Sequence, residues 1–568
     1  MIKKEQLKQN PFFLSDEDID WVYGSLKDMT LEEKVGQLFC LCIFDPREEA
    51  VDHVFGILKP GGTMYRPVTT KEAVTLTNML AQRSKIPMLI AANFEKGADG
   101  GVTDGSGVGT PLEIAATGDV SMAGKLGTVC AREGAAAGFN WAFAPIIDID
   151  TNFRNPITNT RTFGSDPARV RDMGVAYVKA VQAGGMAASI KHFPGDGQDE
   201  RDQHLVTSVN DMDCETWDAT YGAAYQASID AGALTVMVGH IMQPAYTRML
   251  NPSIKDEDMM PATLSPELME GLLRGKLGFN GLIVTDATSM GGFTIPMARE
   301  KAVPYSIACG ADMFLFAKDT QEDFDFMMKG VQDGVITPER LEDALVRILA
   351  LKAALKLHKN PLPTLAAAEK AVGVPEHKKW AEECADRAIT LVKEQKGVLP
   401  LSPEKTKRML FIPIEPDTSG AMFSMTSSAK DTFREMLEAE GFDVTEFSPN
   451  MGMEGMMAPT SATLEKYDVI VYLSNLATKS NQTVVRIEWA QPMGANLPAY
   501  VQQIPTVFIS VANPYHLLDV PRVKTFINCY HSSPVVLKAL MEKLMGRSEF
   551  VGINPVDPFC GKWDAHLS

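Results

Sequence analysis

The 568 residues contain no apolar run approaching the ~20 residues of a membrane-spanning helix. Lys3, Lys4 and Lys8 near the start are not backed by an apolar stretch, so the opening segment does not read as a signal peptide. Paired cysteine spacing is missing as well: the eight cysteines, at positions 40, 42, 130, 214, 309, 384, 529 and 560, form no Cys-x-x-Cys. They read as buried, reduced thiols of a cytoplasmic chain rather than as disulfides or a metal site. Positive charge is in deficit, 54 Lys and Arg against 72 Asp and Glu, a formal net charge of −18. That balance argues against nucleic acid or an anionic membrane surface as partner. The glycine-rich stretch 97–109 lacks a Gly-Lys-Ser/Thr ending, so it is not a phosphate loop.

What is present is ordinary for a large globular chain, 45% hydrophobic and 22% charged, with length enough for two or three domains. Two helix starts with capping spacing, Ser15 with Asp18 and Thr30 with Glu33, open it. Eight short apolar segments follow: 37–44, 62–65, 88–92, 141–144, 187–191, 234–238, 282–285 and 313–316, with helical pattern between them. They are continuous rather than alternating, as strands of a parallel sheet buried on both faces must be. Eight such alternations predict an α/β fold, a (β/α)₈ TIM-like barrel. Thr337 and Pro338 start its last helix, read as 338–357.

Residues 1–358 are thus expected to form the barrel with its N-terminal helices. The proline-broken stretch that follows reads as a linker, 359–376, and residues 377–568 as a smaller α/β sandwich domain. In that domain a helix is expected from about 378 to 392, with strands at 409–414, 469–473, 506–511 and 525–529. The methionine-rich run 451–457 reads as a loop. Arg486, Trp489, Gln491 and Pro492 read either as a packing cluster or as groups reaching toward a bound ligand.

In a parallel barrel, chemistry sits at the C-terminal ends of the strands. Asn93, Lys191, His192, His240 and Asp286 all occupy such positions. Just beyond the fifth strand, Asp202 and His204 stand two residues apart on a polar loop. A carboxylate beside an imidazole is a proton-transfer pair. With a separate carboxylate, Asp286, these are the parts that glycosidic bond cleavage requires. Blander readings exist: Asp202 and His204 also fit a solvated loop, Asp286 a helix N-cap, Arg161 a surface ion pair, and His240 a hydrogen bond within the barrel rim.

Six stretches, 29–38, 138–145, 161–166, 191–195, 261–265 and 281–286, together resemble family 3 of the glycoside hydrolases, in its bacterial β-N-acetylglucosaminidase branch. They occur in family order across the barrel. The resemblance implies a retaining mechanism in which Asp286 is the nucleophile and His204, paired with Asp202, the acid/base. It makes Lys191, His192 and Arg161 sugar-binding and puts Asn93 at a sugar-gripping position, with neither cofactor nor metal; His240, at its strand end, is a further candidate for substrate contact. The implied partner is a small carbohydrate, terminal N-acetyl-hexosamine on glycans or cell-wall fragments, and the chain is compatible with a homodimer.

Three departures from the family pattern stand out. Asn93 replaces an aspartate that normally grips the sugar, the arginine normally following it has no counterpart, and Asp196 replaces a common histidine. Competing readings are a phosphorylase, since a neutral imidazole does not repel phosphate as a carboxylate would, a β-glycosidase of another sugar preference, and a sugar-binding protein that has lost catalysis.

Overall fold

The computed structural model describes residues 2–43, 45–416, 429–448, 450–451, 458–478, 480–481, 483, 486–491 and 493–567. Phe44, Pro492 and all of the methionine-rich run except Met451 lie outside the described residues. By its internal contacts the chain divides into two compact units. One comprises Met1–Val108, Val120–Thr158 and Asp166–Lys378; the other Gly109–Asp119, Asn159–Ser165 and Lys379–Ser568.

The first unit is built on eight parallel strands: β1 (Phe39–Ile43), β2 (Gly62–Tyr65), β3 (Leu89–Ala92), β4 (Trp141–Ala142), β5 (Ala187–Phe193), β6 (Thr235–Val238), β7 (Leu282–Thr285) and β8 (Phe314–Leu315). Their order is β8-β1-β2-β3-β4-β5-β6-β7. The parallel bridge between Val284 and Met313 joins the two ends, so the sheet closes on itself. Strands β3, β5, β6 and β7 are buried along their whole length. The expected (β/α)₈ barrel is therefore observed, and the continuous apolar runs have the cause expected of them, burial on both faces.

Helix boundaries follow their caps. Thr337 accepts from the Arg340 amide, Pro338 occupies the first turn, and the last barrel helix runs Pro338–Ala354. The stretch read as a linker is not structureless, because Leu365–Ala371 forms a short helix within it.

The second unit carries a six-stranded sheet: β9 (Thr390–Lys393), β10 (Arg408–Ile414), β11 (Asp443–Glu446), β12 (Val469–Ser474), β13 (Thr506–Ser510) and β14 (Thr525–Asn528). Its order is β9-β14-β13-β12-β10-β11, with β9 antiparallel and the rest parallel. One face packs Phe433, Leu437, Val536 and Leu540 from two helices; the other stacks Tyr472, Phe508 and Phe526 in series. The helix expected to reach position 392 ends at Ala388 instead, and Thr390–Lys393 pairs with β14. The β-branched residues Ile389, Thr390 and Val392 favour that extended pairing over another helical turn.

One polar contact in the first unit has a measurable consequence. Lys352, fully buried on the last barrel helix, donates to Gln37 Oε1 at 2.7 Å. Burial pulls its amine down to about 7 from an ordinary 10.5. Above that value the folded chain has released a proton that the unfolded chain still holds, so stability from this site rises with pH up to the ordinary lysine value. Comparing wild type with Lys352→Met from about pH 7 to about pH 9, the stability difference shifts in favour of wild type, by at most ~1.4 kcal/mol per pH unit. Parallel unfolding curves at the two pH values would rule Lys352 out as the source.

Candidate active site

Strand β5 ends in Lys191, His192 and Phe193, and the chain then turns sharply through Gly195 (φ +120°) and Gly197 (φ +106°). A side chain at Gly195 would strike the Tyr221 ring, and one at Gly197 the Ile149 carbonyl. Both positions need glycine because of this conformation and this crowding. The turn launches the loop that carries Asp202 and His204.

His204 Nδ1 lies 2.7 Å from Asp202 Oδ1, and the same oxygen accepts from the His204 amide at 2.8 Å. Asp202 is buried, whereas the His204 side chain is about a quarter exposed. With Nδ1 held by the carboxylate, the ring presents Nε2 outward. Among the described residues no hydrogen-bond partner for that nitrogen is seen. The arrangement fixes the tautomer and leaves one nitrogen to exchange a proton with a bound molecule.

The loop is tied down against the segment that follows β7. The Gly291 amide donates to the His204 carbonyl at 2.8 Å, and the Gly292 amide to the Gln203 carbonyl at 3.1 Å. Asp286 stands at the end of β7, its amide bonded to the Val238 carbonyl at the end of β6. Burial pushes its carboxyl up, but His192, His240 and His204 and the Ala287 amide outweigh burial and hold it below the usual carboxylate range. The influence of His204 on Asp286 puts the dyad and the carboxylate in one electrostatic neighbourhood.

His192 connects two carboxylates. Its Nδ1 lies 2.7 Å from Asp148 Oδ2, its amide donates to Asp148 Oδ1 at 3.0 Å, and its Nε2 lies 3.9 Å from Asp286 Oδ2. Lys191 is buried and donates to Glu95 Oε1 at 2.9 Å. Loss of either partner of such a pair leaves an uncompensated buried charge.

Both ring nitrogens of His240 are spent within the protein: Nδ1 meets Thr263 Oγ1 at 2.9 Å, and Nε2 meets the Ala287 carbonyl at 3.0 Å. A carbonyl only accepts, so Nε2 carries the hydrogen in that contact. Burial lowers its pKa, and the Asp286 carboxylate opposes that shift. This geometry makes His240 a brace between β6 and the residue after Asp286, with no nitrogen left over for a sugar hydroxyl.

Asn93 is exposed at the end of β3, open to a ligand at the mouth. Arg161 belongs to the second compact unit, as do Arg486, which pairs with Asp519, and Trp489, which packs on the aromatic face of that unit's sheet. Sequence reasoning overlooked Asp148 and gave Glu95 no role. The signal for Asp148 was present: a lone carboxylate in the apolar run Ile146-Ile147-Asp148-Ile149 beyond a strand end needs a buried partner.

Residues 30–351 match the model of the glycosyl hydrolase family 3 N terminal domain. A β-N-acetylglucosaminidase/β-glucosidase of Cellulomonas fimi is 51% identical over 560 residues, covering 98% of this chain and 99% of the relative. Among solved structures, a β-glucoside phosphorylase, BglX, superposes with a TM-score of 0.92 at 46% identity over the full length of both chains. A family 3 β-N-acetylglucosaminidase from Paenibacillus sp. str. FPU-7 gives a TM-score of 0.79 at 25% identity, covering 93% of this chain and 99% of that one. Barrel, family match and full-length relatives agree, and the chain belongs to glycosyl hydrolase family 3 as one of its glycosidases.

Proposed function

We propose that the protein is a retaining exo-β-glycosidase that removes terminal β-N-acetylglucosaminyl units from small glycans or cell-wall fragments and also accepts β-glucosyl units. The observation that carries this reading is the His204–Asp202 pair, 2.7 Å apart, on a loop anchored beside a buried carboxylate kept ionised. Ionised Asp286 attacks the anomeric carbon and forms a covalent glycosyl-enzyme, while His204 passes its Nε2 proton to the leaving oxygen. The neutral imidazole then takes a proton from the incoming acceptor as the glycosyl–Asp286 bond breaks, and configuration is retained. Nucleophile and acid need opposite proton states, and their surroundings supply them separately.

Lys191, His192 and Asn93 are assigned to the sugar hydroxyls, and His240 to holding Asp286 in place. An amide at 93 both donates and accepts, where a carboxylate only accepts. That suits a site tolerant of two sugars, in line with the double name of the 51% identical relative. A cytoplasmic site of action fits eight free cysteines.

A second reading shares the first half-reaction and ends differently: inorganic phosphate, rather than water, attacks the glycosyl-enzyme and leaves as a sugar 1-phosphate. It is favoured by the imidazole in place of a carboxylate base. Two like charges 4 Å apart repel by about 4 kcal/mol at an effective dielectric of 20, and a neutral His204 spares an anionic acceptor that cost. The full-length likeness to a β-glucoside phosphorylase supports it.

Three outcomes are expected. Asp286→Ala loses turnover by at least roughly 10³-fold while ligand affinity stays within a few-fold; near-normal turnover would overturn the nucleophile assignment. His204→Ala loses roughly 10²–10⁴-fold in kcat/KM on glycosides with poor leaving groups and far less on activated aryl glycosides; equal losses would remove the acid role. Raising phosphate with a fixed β-glycoside converts the product from free sugar to sugar 1-phosphate if phosphate is the acceptor, and an unchanged free-sugar yield eliminates that reading.

A further inference from the structure

Between Asp202 and His204 lies a residue that neither binds substrate nor transfers protons in the reading above. Gln203 is completely buried, and both ends of its amide are engaged. Oε1 accepts from the His240 amide at 2.8 Å, and Nε2 donates to Asp196 Oδ2 at 3.2 Å. Asp196 is buried in turn. Its Oδ1 accepts from Asn155 Nδ2 at 2.9 Å and from the Gly197 amide at 2.7 Å, and its own amide donates to Asp148 Oδ1 at 2.8 Å. Asp148 is also the carboxylate that holds His192.

The side chain of Gln203 therefore fastens the loop to the residues after β5 and after β6, while its carbonyl and that of His204 fasten it to the segment after β7. Polarity fixes the amide. The His240 N–H must face an acceptor and the Asp196 carboxylate a donor, so a flipped Gln203 would make both contacts repulsive. Close approach leaves little slack, since a side chain at Gly292 would strike both His240 and the Gln203 carbonyl.

We propose that Asp196 and Gln203 are positioning residues: their hydrogen-bonded pair sets the place of the acid/base loop, and with it the place from which His204 meets the leaving oxygen. The proposal rests on the assignment of His204 as the acid. It gives Asp196 a task in this chain, holding the glutamine that separates the two members of the dyad. A misplaced acid costs most where protonation is needed most, which sets this role apart from a purely structural one.

The test is a polarity swap. In Asp196→Asn, Oδ1 is retained by Asn155 and Gly197, so the new NH₂ faces Gln203 Nε2, donor against donor. In Gln203→Glu two carboxylates face each other, repelling while both are ionised and bridged by a proton when one is not, so this variant is read at alkaline pH. The double variant Asp196→Asn/Gln203→Glu restores a donor–acceptor contact, keeps an acceptor for the His240 amide and conserves total charge. kcat/KM is measured for a glycoside with a poor leaving group and for an activated dinitrophenyl glycoside, with His204→Ala as control. The ratio of the two values does not depend on the fraction of enzyme folded.

Each single variant is expected to lose roughly 10²-fold on the poor leaving group and only a few-fold on the activated one. The swap is expected to recover at least about tenfold, as a coupled pair should. Equal losses on both substrates, no loss, or a swap no better than the worse single variant would overturn the proposal while leaving the acid assignment intact. Absence of leaving-group dependence in His204→Ala would overturn both.

Discussion

A carboxylate at the buried floor of a barrel mouth stays ionised only if other groups replace the water it has lost. For Asp286 those groups are imidazoles and one backbone amide, and they outweigh burial. The rest of the mouth follows from that requirement. His192 is turned toward Asp286 because Asp148 grips its other face through both side chain and backbone. His240 braces the chain immediately after Asp286 through the Ala287 carbonyl. On the proposed mechanism Asp286 must be charged before its substrate arrives, and that charge is a property of the fold rather than of the bound sugar.

The same economy of charge governs the dyad. A histidine with a buried aspartate behind it can hold a proton and give it up again while the aspartate stays ionised. On the proposed mechanism the two groups thus cycle between a neutral pair and a singly negative one. A glutamate acid/base cycles between neutral and negative as well, but presents its negative charge directly at the acceptor. In the His204–Asp202 pair the negative charge sits on the far side of the ring, on a buried residue. Distance and an intervening imidazole weaken its field where the acceptor must approach.

The barrel is legible in the sequence because strands buried on both faces announce themselves as short apolar runs, and the polar residues just past those runs are the ones at the mouth. Asp286, His192, Lys191 and Asn93 are found by that rule alone. Partners are not legible in the same way. Asp148 and His192 are 44 residues apart, and Lys191 and Glu95 are 96 apart, so no local pattern joins them. Gln203 hides between two more conspicuous neighbours. The helix expected to reach 392 stops at Ala388 because sheet pairing with β14 outcompetes local helical pattern. Arg161, read as one of the sugar-binding groups from a motif within the barrel's stretch of sequence, is assigned by its contacts to the second unit. Chain order and spatial grouping diverge there.

Two of the three departures from the family pattern place negative charge differently when their surroundings are considered. Asn93 removes a negative charge from an exposed position at the mouth. Asp196 adds one, but in a buried place where Asn155, Gly197 and Gln203 all donate to it. Charge is thereby shifted from the surface facing the ligand into the scaffold behind it. At position 93 the part of the site open to an acceptor carries no carboxylate where the family pattern would place one. On the proposed mechanism the second half-reaction gains most from this, because its acceptor approaches a site already emptied of the leaving group. There a neutral His204 and an uncharged Asn93 admit water and anion alike, and the choice between them passes to concentration and fit rather than to repulsion.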